Sequence, residues 1–267
     1  MIKIIKKVIK KFLRICGYEI RGHYPELSQM SFDEIYQKLF DKNDIITGIL
    51  TQKAIIFDVG ADKGQSIERL SKLFKEKQIH SFEPIKFKFL NLEKKYSKYQ
   101  HIHLNNYALG ERSENKEFYV NHYTGSSSFL KIKENTAWLK LRSKQWKILP
   151  EEFLKKKENI EINTVDNYCN QNNINEIDII KIDTQGYEDK VLIGCKQMIE
   201  KKRIKFIELE IIFSDLYEKT LSISDIENKL KNNYRLFAND FYGNLYSNKI
   251  YQLNLIYINK DFYKKII

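Results

Sequence analysis

Prolines, cysteines and glycines are scarce: three, three and ten in 267 residues. Cys16, Cys169 and Cys195 are odd in number, far apart and without a C-x-x-C pair, which argues against a disulfide framework or a thiolate metal site. Each reads as a small buried hydrophobe, and a reducing cytoplasm is the simple expectation. No Pro/Gly/Ser-rich linker, internal repeat or low-complexity block divides the chain. At 42% hydrophobic it can bury one large core, so one main domain is expected over residues 51–267 behind an N-terminal extension, residues 1–50. Acid is also in deficit, with 35 acidic against 46 basic residues and a net charge of +11. Nucleic acid is therefore a partner to consider, but no recognition-helix, RNP or zinc-finger pattern supports it.

Residues 2–16 contain no acid at all. They set Ile2, Ile5, Ile9, Phe12, Leu13 and Cys16 on one helical stripe against six lysines and arginines. The bases interrupt every apolar run, so the segment reads neither as a membrane-spanning helix, which needs about 20 apolar residues, nor as a signal peptide. It suits a helix lying on an anionic membrane surface, or one packed on the body with solvated lysines.

What is present is a turn. Ile55-Ile56-Phe57-Asp58-Val59-Gly60-Ala61-Asp62-Lys63-Gly64 is an apolar run, an acid and two glycines leading into a helix. The run reads as a buried parallel strand, and Gly60 and Gly64 let backbone lie against a ligand. A third glycine, needed for the dinucleotide fingerprint, is missing. Asp58 would repel a pyrophosphate but accept a hydrogen bond from an ammonium or a water, so the expected ligand is nucleoside-like and cationic. About 20 residues on, Ile79-His80-Ser81-Phe82-Glu83-Pro84 reads as a strand ending in an acid placed to accept ribose hydroxyls, with Pro84 fixing the backbone behind it.

The periodicity predicts helices over 2–16 and 31–41, then strand 54–59, helix 64–75, strand 79–83, helix 85–97 and strand 101–106. A strand over 116–121, a Lys/Trp-rich helical insertion over 134–157 and a strand over 161–164 with a short helix follow. Strand 177–183, helix 186–200, strand 204–212, helix 222–232 and strands over 234–240 and 250–258 complete the pass. Strands alternating with helices imply an α/β fold: a doubly wound, mainly parallel sheet with helices on both faces. Ligands then collect at the carboxyl ends of the strands, where Asp58, Glu83, Asn106 and Asp183 are expected to converge.

Several segments together resemble the FkbM-type S-adenosylmethionine-dependent methyltransferases: "DVGADKGQ" from Asp58, "SFEP" from Ser81, "NNYALG" from Asn105, "SSSFL" from Ser126, "KIDTQGYEDKVLIGC" from Lys181, "LYEKTLS" from Leu216 and a late "YQLNLIYI". The resemblance spans roughly residues 50 to 260. It implies a class I methyltransferase fold and S-adenosylmethionine as cofactor, held by Asp58, Gly60, Ala61, Gly64, Glu83, Pro84 and Asn106, with Ala108 and Leu109 lining the adenine. Three positions depart from the family pattern: Asp62 stands where Asn is usual, Asn254 where Asp is usual, and Gln185 where other members have Glu.

Methyl transfer needs alignment above all, and a hydroxyl acceptor also needs a proton acceptor. Asp183, at the tip of a hydrophobic strand, is the leading candidate for general base or acceptor-hydroxyl binder, against a reading as a helix N-cap. Glu188 can support it, and His122 is a weaker candidate beside serines that could bond an acceptor or hold a loop over it. Of Glu208 and Glu210, on alternating faces, one is expected to point into the acceptor cleft. His101 and His103 read as structural, and no metal-ligand cluster is evident. The family resemblance suggests an O-methyltransferase acting on a sugar hydroxyl of a surface polysaccharide or lipid-linked glycan. Alternatives are another polyhydroxylated small-molecule acceptor and a non-catalytic nucleotide-binding scaffold. The lack of an Asn/Asp-Pro-Pro-aromatic motif speaks against methylation of base amino groups.

Overall fold

In the computed structural model, residues 42–47, 49–50, 53–214, 216–219, 221–244 and 249–266 are described. They all belong to one unit, Lys42–Ile267. The helices expected over 2–16 and 31–41 lie outside the described residues.

After a short helix α1 (Lys42–Thr47) comes β1 (Lys53–Val59), and its alternation explains the layering. Ala54 and Ile56 pack with Ile67 and Leu70 of α2 (Gln65–Leu73), whereas Phe57 and Val59 pack on the opposite face. β2 (Glu76–Phe82), α3 (Lys86–Tyr96) and β3 (Ile102–Asn105) complete one wing. α3 turns Lys88, Leu92 and Tyr96, spaced four apart, to the inside.

The other wing begins at β7 (Ile177–Ile182), all six residues of which are buried, as expected of a strand covered on both faces. Helices α6 (Glu188–Gly194) and α7 (Lys196–Glu200), β8 (Ile204–Ile212), α8 (Ile223–Leu230), β9 (Tyr234–Asn244), β10 (Lys249–Asn259) and α9 (Lys260–Ile266) follow. The seven strands run in the order β3-β2-β1-β7-β8-β10-β9, parallel except that β10 is antiparallel to both neighbours. The strand order reverses between β1 and β7, which is where a doubly wound sheet opens a crevice. Among the described residues, no helix is long and apolar enough to cross a membrane.

Two expectations need correction. The single helix over 186–200 is two, broken at Cys195, because Gly194 presses on backbone: a Cβ there would stand 2.0 Å from the Gly110 carbonyl oxygen. The helical insertion over 134–157 holds only α4 (Ala137–Trp146), which ends at Lys147 in the left-handed region (φ 55°) ahead of Pro150. From Leu154 the chain is instead β6 (Leu154–Asn163), in a second sheet of order β4-β6-β5 with β4 (Ala108–Leu109) and β5 (Glu114–Asn121). The Lys155–Lys157 run looks helical by composition, but pairing with β5 overrides propensity. The short helix α5 (Val165–Gln171), capped by the Thr164 side chain, returns the chain to the main sheet.

Candidate active site

A cleft of about 530 Å³ opens at the carboxyl ends of β1, β2, β7 and β8. That volume is in the range of small-molecule sites. Its floor is the glycine turn. The Gly60 and Ala61 amides both donate to the Phe82 carbonyl, at 3.0 and 3.1 Å, and Asp183 N donates to the Val59 carbonyl at 3.0 Å. Gly60 is therefore wedged between two strand ends with φ 88°, and a Cβ on it would lie 2.0 Å from the Asp183 carbonyl oxygen. Ala61 and Gly64 belong to the same turn but face inward, Gly64 against Tyr96 and Leu92.

On one wall Glu83 is 4% exposed and faces the cleft. Its carboxylate accepts from the amides of Asp62 (2.8 Å) and Ile85 (2.9 Å). Burial pushes its pKa up to about 7, against the pull of Lys88. Pro84 lines the cleft beside it, and Asn106 acts from behind: its amide donates to the Glu83 and Pro84 carbonyls at 3.0 and 3.1 Å. Ala108 and Leu109 supply an apolar surface next to Ile85.

Asp62 takes the left-handed region (φ 49°), and its charge is answered by Lys88 Nζ at 2.5 Å. Lys88 also donates to the Thr124 carbonyl at 2.9 Å, tying the turn to the loop across the cleft. Nothing in the spacing of the motifs pointed to Lys88, which sits on a helix face otherwise occupied by Leu92 and Tyr96.

The opposite wall carries the acids. Asp183 Oδ1 accepts from Gln185 Nε2 at 2.9 Å and Oδ2 from Lys181 Nζ at 3.0 Å. The same Gln185 amide nitrogen donates to Glu210 Oε1 at 3.2 Å, and Gln252 holds Glu210 Oε2 at 3.2 Å. Burial and then the neighbouring Asp183 raise the Glu210 pKa to about 7. Of the glutamate pair, Glu210 is thus the one on the cleft. Glu208 lies 2.7 Å from Arg69 of α2. Gln185, not expected to supply charge, instead bridges two carboxylates, and its own oxygen accepts from Tyr217 at 3.3 Å. Gln185 stood out in the sequence only as a departure from the family pattern, and Gln252 and Tyr217 only as members of family-like segments.

Besides the inward-facing Ala61 and Gly64, four expected residues do not line the cleft. Asp58 is fully buried below the turn, and among the described residues no donor reaches its oxygens; burial pushes its pKa up to about 6, with Lys181 opposing. Asn106 acts through backbone, as described. Glu188 is 1% exposed, and its Oε1 accepts from the Thr184 amide and hydroxyl and the Gly186 amide, at 2.8 to 3.1 Å. It therefore binds the turn ahead of α6, the N-capping task considered for Asp183. The His122 amide donates to the Phe153 carbonyl at 3.0 Å, and the ring is outside the lining set. The neighbouring serines are spent on the loop itself: Ser126 Oγ donates to the Tyr123 carbonyl, Ser127 Oγ accepts from Asn121 N, and Ser128 Oγ donates to the Gln185 carbonyl. His103 stacks on buried His80 with ring centroids 4.6 Å apart.

These residues fit a cationic nucleoside. Four carboxylates (Asp62, Glu83, Asp183, Glu210) and two bases (Lys88, Arg142) line the cleft, an acidic balance in an otherwise basic protein. Glu83 presents acceptor capacity beside an apolar patch, and the turn beneath has no side chain in the way.

Comparison with known proteins agrees. The family model described as the methyltransferase FkbM domain matches residues 58–236. The 2-O-methyltransferase NoeI of Sinorhizobium fredii is 24% identical over 174 residues, covering 64% of this chain and 69% of that protein. Among solved structures, a Streptococcus mutans methyltransferase crystallised with SAH aligns at TM-score 0.42 and 10% identity, covering 90% of this chain and 99% of that one. A Streptococcus thermophilus rRNA methylase aligns at TM-score 0.44 and 8% identity, covering 81% and 93%.

Proposed function

The chain belongs to the FkbM methyltransferase family and is an S-adenosylmethionine-dependent enzyme, and from that footing we propose that it methylates a hydroxyl of a sugar-like acceptor. The single observation that carries the reading is the Asp183–Gln185–Glu210 cluster, which puts two carboxylates under one amide beside the glycine turn. The relative named a 2-O-methyltransferase favours oxygen as the acceptor atom.

S-Adenosylmethionine would supply a methyl on a sulfonium, its carbon–sulfur bond breaking as the bond to oxygen forms and S-adenosylhomocysteine (SAH) leaving. Glu83 would accept hydrogen bonds from the ribose hydroxyls, Ala108, Leu109 and Ile85 would cover the base, and Gly60 would leave room for the backbone to touch the ligand. Asp58 faces Lys181 beneath the turn, and Asn106 acts as a positioning residue for the Glu83–Pro84 backbone. Asp183 binds and orients the acceptor hydroxyl, with Lys181 holding it in place. Glu210 takes the proton as the oxygen–methyl bond forms, since a base titrating near neutrality combines availability with driving force. Glu188 and His122 support the surrounding backbone without touching the acceptor.

The test is transfer of labelled methyl from S-adenosylmethionine to the glycan fraction of the source cell. A label that survives mild alkali and is recovered on an O-methyl sugar after acid hydrolysis supports the reading; release as methanol reveals an ester, and recovery on nitrogen an amine, and either overturns it. Glu83→Gln is expected to weaken SAH binding by about 10- to 100-fold by calorimetry, as removal of a charged hydrogen-bond acceptor should. An unchanged affinity removes Glu83 from the ribose.

A further inference from the structure

One part of the cleft wall is built differently. Tyr123, Trp138 and Arg142 line it, the last two from α4. The Arg142 guanidinium carbon is 5.0 Å from the centroid of the Tyr123 ring and 5.7 Å from that of Trp138. Its Nη1 donates to Gln145 Oε1 at 2.9 Å. The two bases of the cleft are not equivalent: Lys88 is neutralised by Asp62, whereas among the described residues no carboxylate pairs with Arg142.

We infer that the acceptor carries an anionic group, a carboxylate or phosphate, bound by Arg142 while its methylated hydroxyl lies at Asp183 and Glu210. This rests on the O-methyltransferase reading of the same site. A guanidinium presents a planar fork matched to two oxygens of such a group, and contact with two rings limits the orientations lost on binding. The rings also offer apolar faces to the sugar body. Polarity decides the pairing: an anion beside Asp183 and Glu210 would meet two carboxylates, so the charged group goes to Arg142. It is therefore a recognition handle, and the oxygen that receives the methyl is a separate hydroxyl.

The chain has two tryptophans, so Trp146→Phe leaves Trp138 as the only one, beside Arg142. Its emission is followed in the full chain with SAH bound, at constant ionic strength, during titration with glucuronic acid, glucose 1-phosphate and neutral methyl glucoside. At least one anionic probe is expected to bind about tenfold more tightly than the glucoside, and the arm that does so separates carboxylate from phosphate. Arg142→Gln is expected to abolish the preference with SAH affinity unchanged, and Arg142→Lys to keep part of it. Equal affinity for charged and neutral probes, a preference that survives Arg142→Gln, or no response to any probe overturns the inference. Failure of the unsubstituted protein to bind SAH would instead overturn the reading beneath it.

Discussion

Lys181 and Asp58 are Cα partners across β7 and β1, and the lysine Nζ lies 4.0 Å from Asp58 Oδ1 under the glycine turn. Lys181 is in turn the partner of Glu208 on β8, so acid, base and acid stand side by side on three neighbouring strands, with Arg69 of α2 closing the row at Glu208. Burial alone would lower the Lys181 pKa, but Asp183 and Asp58 outweigh it and raise it, so the ammonium is retained. This buried row joins the floor of the glycine turn to Asp183.

Removing Lys181 strands the acids around it. Lys181→Met is expected to destabilise the fold by about 3–5 kcal/mol at pH 8, the usual cost of breaking a buried pair, and adding Asp58→Asn should recover a part of it. Urea unfolding measures both, and a loss under about 1 kcal/mol for the single variant would show that the row does not hold the turn.

Glu210 should set the acidic limb of the rate profile. Its carboxylate must be deprotonated to accept a proton, so kcat is expected to rise with pH and level off above about 7. In Glu210→Gln this limb should vanish and kcat should fall by about 10²- to 10⁴-fold. An intact limb in the variant would transfer the base role to Asp183.

Glu188 makes stability depend on pH in a direction opposite to an ordinary salt-bridged acid. Its pKa is raised from 4.5 to about 7 by burial, so the folded state holds a proton that the unfolded state has released. The contribution is complete below about pH 4.5, declines as pH rises, and is gone above about 7. Thermal unfolding of Glu188→Gln relative to the unsubstituted protein should therefore shift upward between pH 4.5 and pH 7.5, by up to roughly 3 kcal/mol. A difference constant across that range would mean Glu188 does not carry a displaced pKa.

The succession of elements was readable where strands are apolar runs between turn signals, as in β1, β7 and β8, the last over the expected 204–212. The failures share a cause. Lys155–Lys157 has a helical composition, yet joins β6 because β5 offers it a partner far away in the chain. The pairing of Ala108–Leu109 with Ile162–Asn163 is likewise invisible to local reading. At the site, Gly60, Glu83 and Asp183 announce themselves by position at strand tips. Lys88, Gln185 and Gln252 do not, because their parts depend on which other strand or helix they meet.

From the chain alone come the α/β alternation, the family motifs and the acids that end β2 and β7, since backbone preference and hydrophobic period are local properties. Which carboxylate faces the cleft and which is entombed was decided by tertiary structure. Asp58 and Glu83 look alike in sequence, each near the end of an apolar strand. The side of the sheet on which Asp58 falls sends it beneath the turn towards Lys181, while Glu83, one residue beyond its strand, lies on the wall of the cleft.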